Sequence, residues 1–121
     1  MAVVLIVDDS PTDQHVLSQT LQRHGFDTLV ASGGEEAIAM AEREHPDVIL
    51  MDIVMPGMNG FQATRHLTRN PATASIPIVI VSTKDQETDR IWGLRQGAVR
   101  YIMKPVDEDA LVAAVRSTFK T

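Results

Sequence analysis

Short apolar runs alternate along this chain with longer stretches whose apolar residues recur at helical spacing. Val3–Val7 is unbroken and rich in β-branched residues, the pattern of a strand buried on both faces of a parallel sheet. From Pro11 to His24, the residues Val16, Leu17, Thr20, Leu21 and His24 share one helical stripe, while Ser18, Gln22 and Arg23 lie off it. Ser10, Pro11 and Asp13 start that helix as N-cap, first-turn proline and capping-box acid, and Gly25 stands where a helix end takes glycine. Asp27–Ala31 is a second strand with Ser32-Gly33-Gly34 as its turn. Glu35–Glu44 is a second helix, acidic in its first turn and ended before Pro46. Val48–Met51, Ile78–Val81 and Arg100–Met103 add three strands. Phe61–Asn70, Gln86–Gln96 (closed by Gly97) and Asp107–Lys120 add three helices. Their core-facing stripes are Ala63, Thr64 and Leu67; then Ile91, Leu94 and Ala98; then Leu111, Val115 and Phe119.

Strand and helix thus alternate five times, which predicts an α/β fold: a doubly wound five-stranded parallel sheet, covered on both faces through right-handed crossovers. Strand order 2-1-3-4-5, a flavodoxin-like three-layer sandwich, suits this size. Residues 1–121 are expected to form a single domain, with no linker or repeat and no length left for a second, DNA-binding or catalytic unit.

Composition narrows the chemistry. The 121 residues include no cysteine, which excludes disulfide scaffolds, thiolate metal sites and cysteine nucleophiles. Acidic residues outnumber basic ones 16 to 11, a net charge of −5, so nucleic acid is not an expected partner. Met1–Val7 is far short of the ~20 residues a bilayer span needs, has no basic flank, and is stopped by Asp8 and Asp9. A cytoplasmic domain without membrane insertion is expected.

In an open α/β sheet the site lies beyond the carboxyl ends of the strands, where the winding reverses. Strand 1 runs into Asp8-Asp9, strand 3 into Asp52, strand 4 into Ser82-Thr83, and strand 5 into Lys104-Pro105. Three carboxylates gathered there repel one another, by about 4 kcal/mol per pair at ~4 Å and an effective dielectric of ~20. Such a cluster takes up protons or binds a cation, and an all-oxygen donor set suits Mg²⁺. With a lysine and a hydroxyl alongside, the constellation fits phosphoryl transfer to a carboxylate nucleophile. Taken singly, each residue has a plainer reading: a loop or helix cap for the aspartates, the polar end of a strand for Ser82-Thr83, a surface cation for Lys104. Their joint placement on four strand ends favours the site.

These residues carry a resemblance. Val7-Asp8-Asp9-Ser10, the run Met51 to Gly60 (Met-Asp-Ile-Val-Met-Pro-Gly-Met-Asn-Gly), Ile80-Val81-Ser82-Thr83 and Tyr101-Ile102-Met103-Lys104-Pro105 resemble the receiver domain of bacterial two-component response regulators, the CheY-like type, along the whole chain. Asp52 to Arg65 and Thr83 to Asp89 are similar to the small stand-alone receivers that regulate type IV pilus twitching motility. The resemblance implies that Asp52 accepts a phosphoryl group from a sensor histidine kinase. Asp9, Asp52 and the main-chain carbonyl of Val54 would bind Mg²⁺, with Asp8 acting partly through water. Lys104 would pair with the phosphoryl oxygens, across a cis Lys104–Pro105 bond. Ser82 would donate to a phosphoryl oxygen while Tyr101 moves inward, changing the helix 4–strand 5–helix 5 face that an output protein reads.

Three positions set this chain apart within that pattern. Thr83, at a switch position where the family commonly has a smaller residue, is expected to narrow access to Asp52 or hinder Tyr101, or simply to be tolerated. Val54 offers no polar group to orient water, which predicts slow self-dephosphorylation. Trp92 lies about 130° from the Ile91/Leu94/Ala98 stripe by helical-wheel arithmetic, either a partner anchor or an edge residue folded onto its neighbours. His15, His24, His45 and His66 lack metal-ligand spacing.

Other functions compete with the switch. A phosphatase of the haloacid-dehalogenase kind needs two aspartates two apart after strand 1, where this chain has Asp8 and Ser10. A flavodoxin-like flavin binder needs a neutral phosphate loop, where this one is acidic. A receiver used as a phosphate sink or scaffold would keep the same residues.

Overall fold

The computed structural model describes residues 2–119. Five strands, β1 (Val3–Val7), β2 (Asp27–Ala31), β3 (Val48–Met51), β4 (Ile78–Ser82) and β5 (Arg100–Met103), alternate with five helices. These are α1 (Pro11–Arg23), α2 (Gly34–Glu44), α3 (Gly60–Arg69), α4 (Glu87–Arg95) and α5 (Glu108–Ser117). The strands form one parallel sheet in the order β2-β1-β3-β4-β5.

Side chains of a strand point alternately to opposite faces, and the central strands are apolar throughout except for Ser82 at the end of β4, so each feeds two cores. Leu5, Val7, Ile49, Met51, Ile78 and Ile80 pack with Ala37 and Ala41 of α2 and with Ala63 and Leu67 of α3. Val4, Ile6, Val48, Leu50, Val79 and Val81 pack on the other face with Leu17 and Leu21 of α1 and Leu111, Val112 and Val115 of α5. Helix starts follow the sequence. Ser10 accepts the Asp13 N–H, Asn59 and Gln62 form a reciprocal capping box, and Asp107 accepts the Ala110 N–H.

Four expectations fail, each for a local reason. Val16 is 48% exposed, because α1 buries only Leu17, Thr20 and Leu21 against β1 and β2. Ile91 and Leu94 are also exposed, since α4 meets the sheet through Gly93. A β-carbon at Gly93 would stand 2.6 Å from Ile80 Cδ1 and 3.3 Å from the Tyr101 ring, so that glycine lets the helix settle onto the sheet. Phe119 is 40% exposed, its ring tilted against Phe26 at 6.2 Å beyond the end of α5. Asp13 closes no capping box: the Ser10 N–H donates to Asp8 instead, and the Asp13 carboxylate reaches Lys104. Lys120, the expected last residue of α5, lies outside the described residues; the helix itself ends at Ser117.

Candidate functional site

The sheet ladder continues one step past several strand ends, and those steps pin the polar residues. The Asp8 N–H donates to the Ala31 carbonyl, the Asp52 N–H to the Val7 carbonyl, and the Lys104 N–H to the Ser82 carbonyl. Asp8 and Asp52 are thereby fixed on neighbouring strands at the switch between β1 and β3, where topology places a site. Behind Asp52, the Gly60 N–H donates to the Ile53 carbonyl and brings the start of α3 against the loop.

Asp8, Asp9 and Asp52 each present a carboxylate oxygen, all within 4.8 Å of one another. Asp8 and Asp52 are buried and Asp9 is exposed, so the cluster opens to solvent on one side. Asp8 is held from two directions: its Oδ1 accepts the Ser10 N–H and its Oδ2 accepts from Lys104 Nζ at 2.7 Å. Lys104 Nζ also donates to Asp13 Oδ2 at 2.9 Å and stands 3.7 Å from Asp52 Oδ1, outside hydrogen-bond range.

The electrostatics follow from this geometry. Burial, then the negative charge of Asp8, pushes the Asp52 carboxyl up to about 6; Lys104 and the Ile53 N–H pull it down without prevailing. Burial works to lower Lys104, but the hydrogen bonds it donates to Asp8 and Asp13 outweigh it and its pKa lies above the ordinary value. The site is short of positive charge. A hard divalent cation would supply it, and three converging oxygen donors with no nitrogen or sulfur ligand fit Mg²⁺.

The remaining candidates surround the cluster. Ser82, fully buried at the end of β4, accepts the Lys84 N–H at 3.2 Å. The Tyr101 hydroxyl donates to the Lys84 carbonyl at 2.7 Å, so the two side chains hold the main chain of Lys84, in the β4–α4 loop, through the peptide units before and after it. Burial, then the Asp89 carboxylate, raises the Tyr101 phenol above its ordinary value, and Arg90 lies 5.8 Å over its ring. Thr83 is exposed. Val54 is 58% exposed, two residues beyond Asp52 in the same loop. Lys104–Pro105 is cis. Among the described residues no histidine joins the acidic cluster; His24 instead meets Glu108 at 2.9 Å.

Two site residues escaped the sequence reading. Asp13 sits one helical turn beyond Asp9, a spacing that was available as a signal, but its position in the helix start gave it a simpler role. Gly60 carries no side chain to notice, yet its packing against Asp52 sets the loop.

Comparison with known proteins agrees with this geometry. Residues 4–116 match the model of the response regulator receiver domain family. The chain is 56% identical to Protein PilH of Pseudomonas aeruginosa over 117 residues, covering 97% of each chain. It is 41% identical to the response regulator PleD of Caulobacter vibrioides over 116 residues, 96% of this chain and 26% of that protein. Among solved structures, chemotaxis protein CheY4 of Vibrio cholerae superposes with a TM-score of 0.92 at 31% identity, covering 98% of this chain and 99% of the other. The receiver domain of Francisella response regulator 1452 gives a TM-score of 0.90 at 29% identity, covering 98% and 96%.

Proposed function

This chain belongs to the response regulator receiver family, and from that premise we propose that it is a cytoplasmic phosphorylation switch rather than an enzyme turning over a free substrate. The observation that carries the reading is the meeting of three carboxylates within 4.8 Å, with the one ammonium of Lys104 standing 3.7 Å from Asp52.

Asp52 is the nucleophile. One of its oxygens attacks the phosphorus of a phosphohistidine on a sensor kinase; the P–N bond breaks as the O–P bond forms, and the imidazole, already protonated on its other ring nitrogen, leaves neutral. Asp8, Asp9, Asp52 and the Val54 carbonyl would hold Mg²⁺, which supplies charge neutralisation for the carboxylates and phosphoryl oxygens. Lys104 would pair with a phosphoryl oxygen from the other side.

The response is built into the grip on Lys84. Ser82 Oγ uses a lone pair on the Lys84 N–H, leaving its own proton to donate to a phosphoryl oxygen. Moving Ser82 toward Asp52 draws Lys84 with it through the Lys84 N–H, and Tyr101, bonded to the Lys84 carbonyl, follows. The shift reaches α4 and β5, and Ile91, Trp92 and Leu94 of α4, with Val99 just ahead of β5, are exposed for an output protein. The likeness to PilH and to twitching-motility receivers supports a place in a pilus or chemotaxis-like pathway.

Incubation with Mg²⁺ and acetyl phosphate tests the chemistry, with Asp52→Ala as control. Stoichiometric phosphorylation of Asp52 supports the switch; continuous release of phosphate with no accumulated phosphoprotein, or no labelling from acetyl phosphate and from any sensor kinase of the host, overturns it.

A further inference from the structure

The Lys104 ammonium has three N–H donors, and two are committed to different parts of the fold. One goes to Asp8 at the end of β1, the other to Asp13 in the first turn of α1. The remaining donor faces Asp52 across 3.7 Å without bonding to it. We infer that Asp13 is a positioning residue that anchors Lys104 away from Asp52, so that a phosphoryl group on Asp52 must compete with Asp13 for the ammonium. The inference rests on the receiver reading and adds a residue to it.

Three features support the anchor. The Asp13 main chain is fixed by the Ser10 cap, which leaves its side chain directed at the lysine. Lys104 is only 13% exposed, whereas the Asp13 carboxylate is 43% exposed and can be re-solvated once released. A cleft of about 260 Å³ lined by Asp13, Val16, Leu17, Lys104, Pro105 and Val106 gives both groups room to move apart. The two carboxylates also differ in fate. Asp8 belongs to the cation-binding cluster, and a cation there would weaken its hold on Lys104; Asp13 lies outside that cluster and keeps its charge for the lysine. Breaking the contact frees the first turn of α1 from the β5–α5 loop.

Beryllium fluoride, a phosphoryl mimic, provides the test. Its affinity for the protein in saturating Mg²⁺ is measured from amide shifts of the Ser82–Lys84 loop, in wild type, Asp13→Asn and Asp109→Asn. Asp109 supplies an equal change of charge at an acid in the first turn of α5 that has no hydrogen bond among the described residues. Losing an ion pair with one half-exposed partner shifts an equilibrium by about two- to five-fold. Asp13→Asn is therefore expected to bind the mimic about three-fold tighter than wild type, with Asp109→Asn unchanged. Equal or weaker binding by Asp13→Asn overturns the inference. So does equal tightening in Asp109→Asn, which would signal a general field effect. A wild-type protein that does not bind the mimic at all removes the receiver reading itself, and the inference with it.

Discussion

The α-carbon of Gly60 is packed against the main chain of Asp52 so closely that a β-carbon there would overlap the Asp52 carbonyl oxygen and lie 2.8 Å from its carbonyl carbon. Backbone cannot swing aside as a flexible side chain can. Gly60→Ala is expected to lower stability by about 3 kcal/mol, at the upper end of ordinary overpacking, and to slow acetyl-phosphate labelling by shifting the Asp52 loop. Urea unfolding and labelling kinetics check the two effects.

Asp52 makes the metal-free fold sensitive to pH. Its carboxyl titrates at about 6 in the folded protein against an ordinary value of 3.8, so the native state holds the proton more tightly than the unfolded chain does. Stability therefore falls as pH rises from about 4 to 6, by up to about 3 kcal/mol, and then levels. Asp52→Asn should match wild type near pH 4 and exceed it at pH 7 in urea unfolding without divalent cation. Added Mg²⁺ should narrow the gap at pH 7.

Lys104→Met removes the ammonium that faces the Asp8, Asp13 and Asp52 carboxylates. The cluster becomes more negative, and Mg²⁺ should bind several-fold tighter by calorimetric titration, since the cation no longer competes with a lysine. Stability without Mg²⁺ should fall by about 3 kcal/mol, because Asp8, 1% exposed, loses its cation.

Trp92 and Leu111 should respond oppositely to truncation. Trp92 is 48% exposed, and Trp92→Ala is expected to change stability by no more than about 0.5 kcal/mol while weakening capture of the output protein. Leu111 is fully buried between α5 and the sheet, and Leu111→Ala should cost about 2–5 kcal/mol. Quenching of Trp92 emission by iodide provides an independent check on its exposure.

Most of the fold was legible because the central strands are apolar without interruption and the helices carry periodic stripes. Strand boundaries agreed within a residue, and the observed sheet order is the one that suits a doubly wound sheet of this size, whereas the alternation of elements by itself requires only that the strands be parallel. Periodicity reports which way a residue points relative to its helix, not how deeply that helix sits, which is why Val16, Ile91 and Leu94 were misplaced. Gly93 was missed for a related reason: a contact made through the absence of a side chain leaves no hydrophobic signal. At the site, Asp8, Asp9, Asp52 and Lys104 stood out because each follows a strand. Asp13 did not, because the local rule for helix starts explained it while the partner that claims its carboxylate lies 91 residues away.

The seat of α4 on a single buried glycine has a consequence for how the molecule moves. Gly93 alone among the residues of α4 is buried, so this helix lays no fully buried side chain into the layer beneath it. A surface without teeth resists sliding and rolling weakly. Amide hydrogens of α4 should therefore exchange with solvent well before those of β1 and β3, and their opening should leave the sheet intact. The segment nearest the proposed output is also the one that comes loose most cheaply, and a signal at Asp52 has little resistance to overcome there.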